Sequence, residues 1–219
     1  VSSLHARLAS GLAALPLFPL PGAVLFPRAV MPLHVFEPRY RRMVADALEG
    51  PRLLSVVTIV PGPVDALGHP TIAGVAGVGT ILEHVELPGG RYDILLQGLA
   101  RVRLRELPFV APYRRAEATL LEPQGSRVTD ADRAALSSAM STFVGLVRLR
   151  EPSFDVRLPR ELDAGAVADL AAHHLVLDAS ERQAVLEELD PVTRVRKVAE
   201  LLVVQALTLR DGAQGGDAN

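Results

Sequence analysis

The sequence contains no cysteine and no tryptophan, and Lys197 is the one lysine among its 23 basic residues. Without cysteine there are no disulfides, zinc–thiolate sites, iron–sulfur clusters or thiol nucleophiles. A P-loop needs a Gly-Lys-Ser/Thr run so that an ammonium can reach the β- and γ-phosphates. Lys197 lies in Arg196-Lys197-Val198 with no glycine beside it, so these 219 residues hold no P-loop. No stretch of about 18 uninterrupted apolar residues reads as a membrane span, and no membrane partner is expected. Acids and bases nearly balance, at 25 against 23, which argues against a chain whose main task is neutralising phosphates. Residues 4–20 carry a base and an apolar stretch, but Pro16, Pro19 and Pro21 break the signal-peptide pattern, so a cytoplasmic setting is expected.

What remains is an ordinary globular composition that changes character near residue 123. Residues 1–122 are short apolar runs punctuated by Pro and Gly, 123–128 read as a connector, and 129–210 carry helical spacing. Residues 211–219, DGAQGGDAN, read as a disordered tail. Strands are expected at 24–26, 30–35, 53–60, 80–87, 92–97 and 101–107, with Pro88-Gly89-Gly90 as a hairpin tip and Gly98 as a bend or bulge. Many short strands with edge prolines suggest a small closed or nearly closed barrel. Glu37-Pro38 opens one interrupting helix, which Gly50-Pro51 closes. Beyond the connector, helices are expected from Thr129 to about Arg150, from Ala164 to Leu175, from a capping box at Ser180 to Leu189, and from Asp190-Pro191 to about Arg210. The run Leu201-Leu202-Val203-Val204 is too wide for one narrow stripe, so the last helix is either buried on most sides or shared with a second copy.

Candidate chemistry mostly fails on spacing. Gly74-Val75-Ala76-Gly77-Val78-Gly79 precedes a strand-like run rather than a helix, so it reads as close backbone packing and not as a dinucleotide loop. The six histidines form no HExxH, and His173 and His174 point about 100° apart on a helix, so no metal site is expected. No G-x-S-x-G occurs, and no nucleophile, base and orienter group together, which leaves no catalytic residue to name and no cofactor. Basic residues are a further candidate. Arg39, Arg41 and Arg42 fall on the first helix, Arg101, Arg103 and Arg105 alternate along one strand, and Arg114-Arg115 follow Pro112. Convergence of Arg42, Arg101, Arg103 and Arg105 would make a basic stripe able to hold acidic peptide or RNA. The plainer alternative is a wet strand face balanced by Glu83, Glu86, Glu106 and Glu117.

Three segments carry a family resemblance. Residues 15–48, LPLFPLPGAVLFPRAVMPLHVFEPRYRRMVADAL, closely resemble the opening of the Lon protease N-terminal domain: Pro16–Leu20, then Phe26-Pro27, Pro32-Leu33 and Phe36–Tyr40 in the family's order. Residues 77–104 resemble its Gly-containing strand, Pro-x-Gly hairpin and Gly-x-x-Arg closing strand, and residues 175–202 resemble its helical part. The resemblance implies an α+β fold, a PUA-like β-barrel with one interrupting helix followed by a C-terminal α-helical bundle. It also implies a stand-alone substrate-binding domain without the ATPase and Ser–Lys protease modules of full Lon. On that basis the expected function is non-enzymatic recognition of protein or peptide, capturing unfolded or tagged clients for ATP-dependent proteolysis, with an ATP-dependent protease as an expected partner. Phe36, Arg39 and Tyr40 are the expected peptide-contacting residues, in a groove between barrel and bundle. An RNA-binding PUA-like module and a small hydrolase with an unrecognised site are the alternatives.

Overall fold

The computed structural model describes residues 8, 10–159 and 161–214, which divide into two compact units, 1–122 and 123–219. In the first unit six strands, β1 (Leu15–Pro21), β2 (Val30–Val35), β3 (Leu53–Ile59), β4 (Val75–Leu87), β5 (Arg91–Glu106) and β6 (Arg115–Leu121), form one mixed sheet. β1 runs parallel to β3 and every other pairing is antiparallel. The order is β2-β5-β4-β3-β1-β6, and β6 also pairs with β5, so the ladder from β5 through β4, β3, β1 and β6 returns to its start. Each strand of that ring sends residues into one apolar cluster, including Leu17, Val57, Val78, Val102 and Ala116. The opposite face of β3, through Leu54 and Val56, joins a second cluster. β3 is therefore buried on both sides, which suits its near-continuous apolar sequence.

The helix α1 (Pro38–Glu49) supplies the cover for that second cluster. Tyr40, Met43, Val44 and Ala47 recur at helical spacing and are all buried, each large one stabilising the unit by about 1.5–3 kcal/mol relative to exposure. Pro38 opens the helix, where its missing N–H costs nothing, and Gly50 ends it by donating its N–H to Asp46 and Ala47 carbonyls.

Several expected strand assignments change, and β6 joins the sheet without having been expected. Val24-Leu25-Phe26 is not a strand; it is an irregular segment with all three side chains buried. β1 was hidden by Pro16, Pro19 and Pro21, which argue against a strand inside a sheet. They are tolerated because β6 pairs only with Leu15 and Pro16, so Pro19 and Pro21 lie beyond that ladder. The two runs expected at 92–97 and 101–107 are one strand, β5, with Leu99 bulged out between Gly98 and Ala100 in the pairing with β4. The glycine-rich run is the start of β4: a Cβ on Gly77 would lie 1.9 Å from the Leu25 carbonyl oxygen, and one on Gly79 2.8 Å from that of Gln97. Close backbone approach is what these glycines provide.

The second unit holds α2 (Asp130–Arg148), α3 (Ala164–Leu175), α4 (Ala179–Glu187) and α5 (Pro191–Gln214). α2 opens on a capping box in which Thr129 accepts from the Asp132 N–H and Asp132 reaches back to the Thr129 N–H. α4 starts two residues earlier than expected, capped by Asp178 rather than by Ser180, because the Asp178 carboxylate accepts the Glu181 N–H at 2.9 Å. α5 runs past residue 210 to Gln214; residues 215–219 of the expected tail lie outside the described residues. α2 and α5 lie side by side in the same direction. Arg196 near the start of α5 binds Asp132 near the start of α2 at 2.8 Å, and Arg150, just past α2, donates to the Leu209 carbonyl at 3.0 Å.

The Arg196 hydrogen bond, helped by Thr129, holds the Asp132 carboxyl well below its ordinary 3.8, at about 2. A depressed carboxylate stabilises above its unfolded pKa and loses that contribution as pH falls through its folded pKa. The α2–α5 contact is therefore expected to weaken as pH drops from near 4 to near 2. Thermal melts of Asp132→Asn should be lower than those of the parent at neutral pH and converge with them at pH 2. An unchanged gap across that window would remove Asp132 from the linkage.

Candidate cleft of the first unit

The residues singled out on α1 divide into buried and exposed. Tyr40 is only 6% exposed: its ring packs on Phe18, centroids 4.5 Å apart, and burial raises its hydroxyl pKa. It is mostly a core residue, carried inward by the Tyr40/Met43/Val44/Ala47 stripe. Arg39 stays at the surface, its guanidinium 4.5 Å above the Tyr40 ring and its Nε 2.9 Å from the Glu37 carboxylate. Phe36 is 61% exposed and stacks beside His34, which is 2.6 Å from Asp93.

The basic stripe does not assemble as expected. Arg101 is 6% exposed, covered within the sheet, and offers no surface charge. Arg105 is paired with Glu117 and Arg42 with Asp46, at 2.8 Å for the latter; Arg103 remains exposed. The alternation of Arg with Val102 and Leu104 is there; of the four acids in the plainer alternative, Glu117 pairs with an arginine of the stripe, and Asp46 on α1 takes another.

A hollow of about 450 Å³ lies elsewhere in this unit, between residues 63–72 of the β3–β4 loop and residues 106–114. The loop is fixed by its own hydrogen bonds. Asp65 Oδ1 accepts the Leu67 and His69 N–H groups, both at 2.8 Å, and Oδ2 lies 3.0 Å from His69 Nδ1. The His69 N–H bond is the main reason that the Asp65 carboxyl sits below its ordinary pKa. Thr71 closes the loop base by donating to the Pro63 carbonyl at 2.6 Å. Across the hollow, Arg114 grips both Glu106 carboxylate oxygens, at 2.7 and 2.8 Å, and donates to the Pro70 carbonyl at 2.8 Å. The His69 and Phe109 rings meet at 4.6 Å. Tyr113 reaches the other way, donating to Asp46 on α1 at 2.8 Å; burial, then that bond, pushes its hydroxyl to about 12.

The charged groups of this cleft are thus occupied with one another, whereas its large apolar groups are open. Val64 is 66% and Phe109 39% exposed, with Leu67, three residues beyond Val64, and Val110, beside Phe109, exposed as well. Arg39 and Tyr40 line a smaller depression that shares His69, Phe109 and Arg114 with the cleft; Phe36 lines neither. The Asp65–His69 pair meets no activated nucleophile, since the neighbouring Thr71 hydroxyl gives its proton to a carbonyl. Among the described residues no group of three His, Asp or Glu could hold a metal ion. The arrangement suits recognition of an apolar chain segment by a preformed surface. Reading the sequence for motifs missed it, because its members are scattered over two loops. The signal available was the length of the 60–74 connection, since loops that long in a compact domain are commonly functional.

Comparison with known proteins agrees with this fold. Lon protease from Trichlorobacter lovleyi is 33% identical over 191 residues, which is 86% of this chain and 23% of that protein. Lon protease from Geobacter metallireducens is 32% identical over 197 residues, again 86% of this chain and 23% of the relative. The chain therefore spans about a quarter of the curated relatives that it matches. Among solved structures, the Lon N-terminal domain protein from Xanthomonas campestris superimposes with a TM-score of 0.62 at 24% identity, covering 84% of this chain and 96% of that one. The N-terminal domain of the Mycobacterium avium complex Lon protease gives 0.65 at 16% identity, covering 87% and 98%. Both share the fold. Residues 14–204, nearly all of both units, match the model of one family, and the chain belongs to it: the substrate-binding domain of ATP-dependent protease La (LON).

Proposed function

We propose that this chain is a protein-recognition module that seats an extended apolar stretch of polypeptide in the 63–72/106–114 cleft and alters no covalent bond. One observation carries the reading: Val64 and Phe109 stand open on a cleft whose polar side chains are already hydrogen-bonded to one another. Apolar contact there desolvates no unpaired charge, so burial of the segment is a net gain. Membership of a substrate-binding family supports the same class of ligand. The returning ladder of β5, β4, β3, β1 and β6 fits a PUA-like barrel, and the four helices beyond it a bundle. Clients would be unfolded or tagged proteins destined for an ATP-dependent protease, with Arg39 extending the surface beyond the cleft.

Fluorescence anisotropy of a labelled, permanently unfolded polypeptide tests this. Val64→Asp and Phe109→Asp should each weaken binding about tenfold or more, as loss of a central apolar anchor does. Phe36→Ala, outside the cleft, should bind like the parent. Parental affinity in folded Val64→Asp and Phe109→Asp proteins would displace the cleft from this role.

A further inference from the structure

We propose that the second unit forms a two-fold symmetric, antiparallel dimer through the outer face of α5. Val203, Val204 and Leu207 are 49%, 60% and 52% exposed and line a groove of about 470 Å³ between α5 and α2. On the α2 side the groove wall is small, with Ala135, Ser138 and Thr142, so another helix can approach closely. The face is bounded by Glu200 at one end and Arg210 at the other, both exposed and both without an ion pair to any described residue.

The order of these residues selects the occupant. Glu200, Val203, Leu207 and Arg210 follow three-four-three spacing, the seam of a coiled coil. Rotating a second α5 about an axis through position 205 sets Glu200 against Arg210 of the second copy and Val203 against its Leu207, while Val204 flanks the seam and Ala206 stays buried behind it. The open apolar side chains at the centre of the seam, Val203 and Leu207, then meet across the axis. Each end charge meets its opposite, twice, as an isologous interface requires. A parallel pairing would instead place Glu200 on Glu200 and Arg210 on Arg210. The face is therefore complementary to itself in one orientation only. A single-helix seam is small for an interface, so the dimer is expected to be in exchange with monomer at micromolar to sub-millimolar concentration.

Sedimentation velocity of the 219-residue protein, from about 2 to about 200 µM, spans the range such an interface allows. The parent should shift from monomer towards dimer. Leu207→Asp should remain monomeric throughout. Glu200→Arg and Arg210→Glu should each raise the dissociation constant about tenfold, because each places like charges opposite one another. The double variant Glu200→Arg/Arg210→Glu should return to within about threefold of the parent, since both pairs are restored in reverse. A parent that stays monomeric at the highest concentration leaves this face to another kind of partner and overturns the proposal. So does a dimer indifferent to all four variants, or a double variant as weak as the singles.

Discussion

Gly77→Ala and Gly98→Ala are each expected to destabilise the first unit by about 4 kcal/mol or more, enough to remove much of the stability of a domain this size. A Cβ on Gly98 would lie 2.0 Å from the Phe26 carbonyl oxygen, as one on Gly77 would lie 1.9 Å from that of Leu25. Both obstacles are backbone, so no rotamer change relieves them. Relief means lifting the 24–29 segment off the sheet, and that segment holds Leu25 and Phe26 at 0% exposure. It is also stitched to Gly98, whose N–H donates to the Ala29 carbonyl and whose carbonyl accepts the Arg28 N–H, both at 2.8 Å. Losing the burial of two such side chains alone costs about 3–6 kcal/mol. Gly74, three residues before Gly77, has nothing within 4 Å of a built Cβ and no positive φ. Gly74→Ala should therefore be neutral or slightly stabilising. Urea unfolding followed by circular dichroism checks all three. Equal midpoints for Gly77→Ala and Gly74→Ala would show that the 24–29 segment moves aside at little cost.

The same residues show what a sequence reveals and what it withholds. The glycine run could be read as close packing, because a strand and not a helix follows it, but nothing in the chain names Leu25 and Phe26 as the backbone that presses on it. Local signals were legible where one short stretch determines the outcome. Pro38 at the start of α1, the Thr129/Asp132 box and Asp190, whose carboxylate accepts the Thr193 N–H at 3.0 Å, each cap a helix through neighbours a few residues away. β1 was not legible, because whether its prolines interrupt a ladder depends on where β6 stops. Tyr40 and Arg101 are a related case: periodicity gave the face correctly, but which face is covered is decided by Phe18 and by the neighbouring strands. The cleft lay furthest from view. Asp65, His69, Phe109 and Arg114 are brought together by the sheet, and their mutual contacts could not be read from their identities.

In the second unit, Asp169→Ala is expected to cost about 3–5 kcal/mol, the usual penalty for stranding one member of a buried ion pair. Asp169 lies on α3 in an otherwise apolar Ala-Val-Ala-Asp-Leu-Ala-Ala run, and Arg194 in the first turns of α5. Their side chains are 5% and 4% exposed, with Arg194 Nε 2.9 Å from Asp169 Oδ1. Arg194 also donates to the Glu188 carbonyl at 2.7 Å, so one guanidinium ties α3 to the turn between α4 and α5. Gly165 makes room for it: a Cβ there would stand 3.0 Å from Arg194 Nη2. Removing the carboxylate leaves a guanidinium that cannot shed its proton and has little access to water. Removing both charges is a different matter, since apolar side chains of similar volume avoid the desolvation of either ion. Asp169→Leu/Arg194→Met should therefore be milder than Asp169→Ala alone. Urea unfolding of the Asp169→Ala variant and the double variant measures the difference. A cost below about 1 kcal/mol for Asp169→Ala would mean that water reaches Arg194 once its partner is gone, and that the packing of α3, not the ion pair, joins these helices.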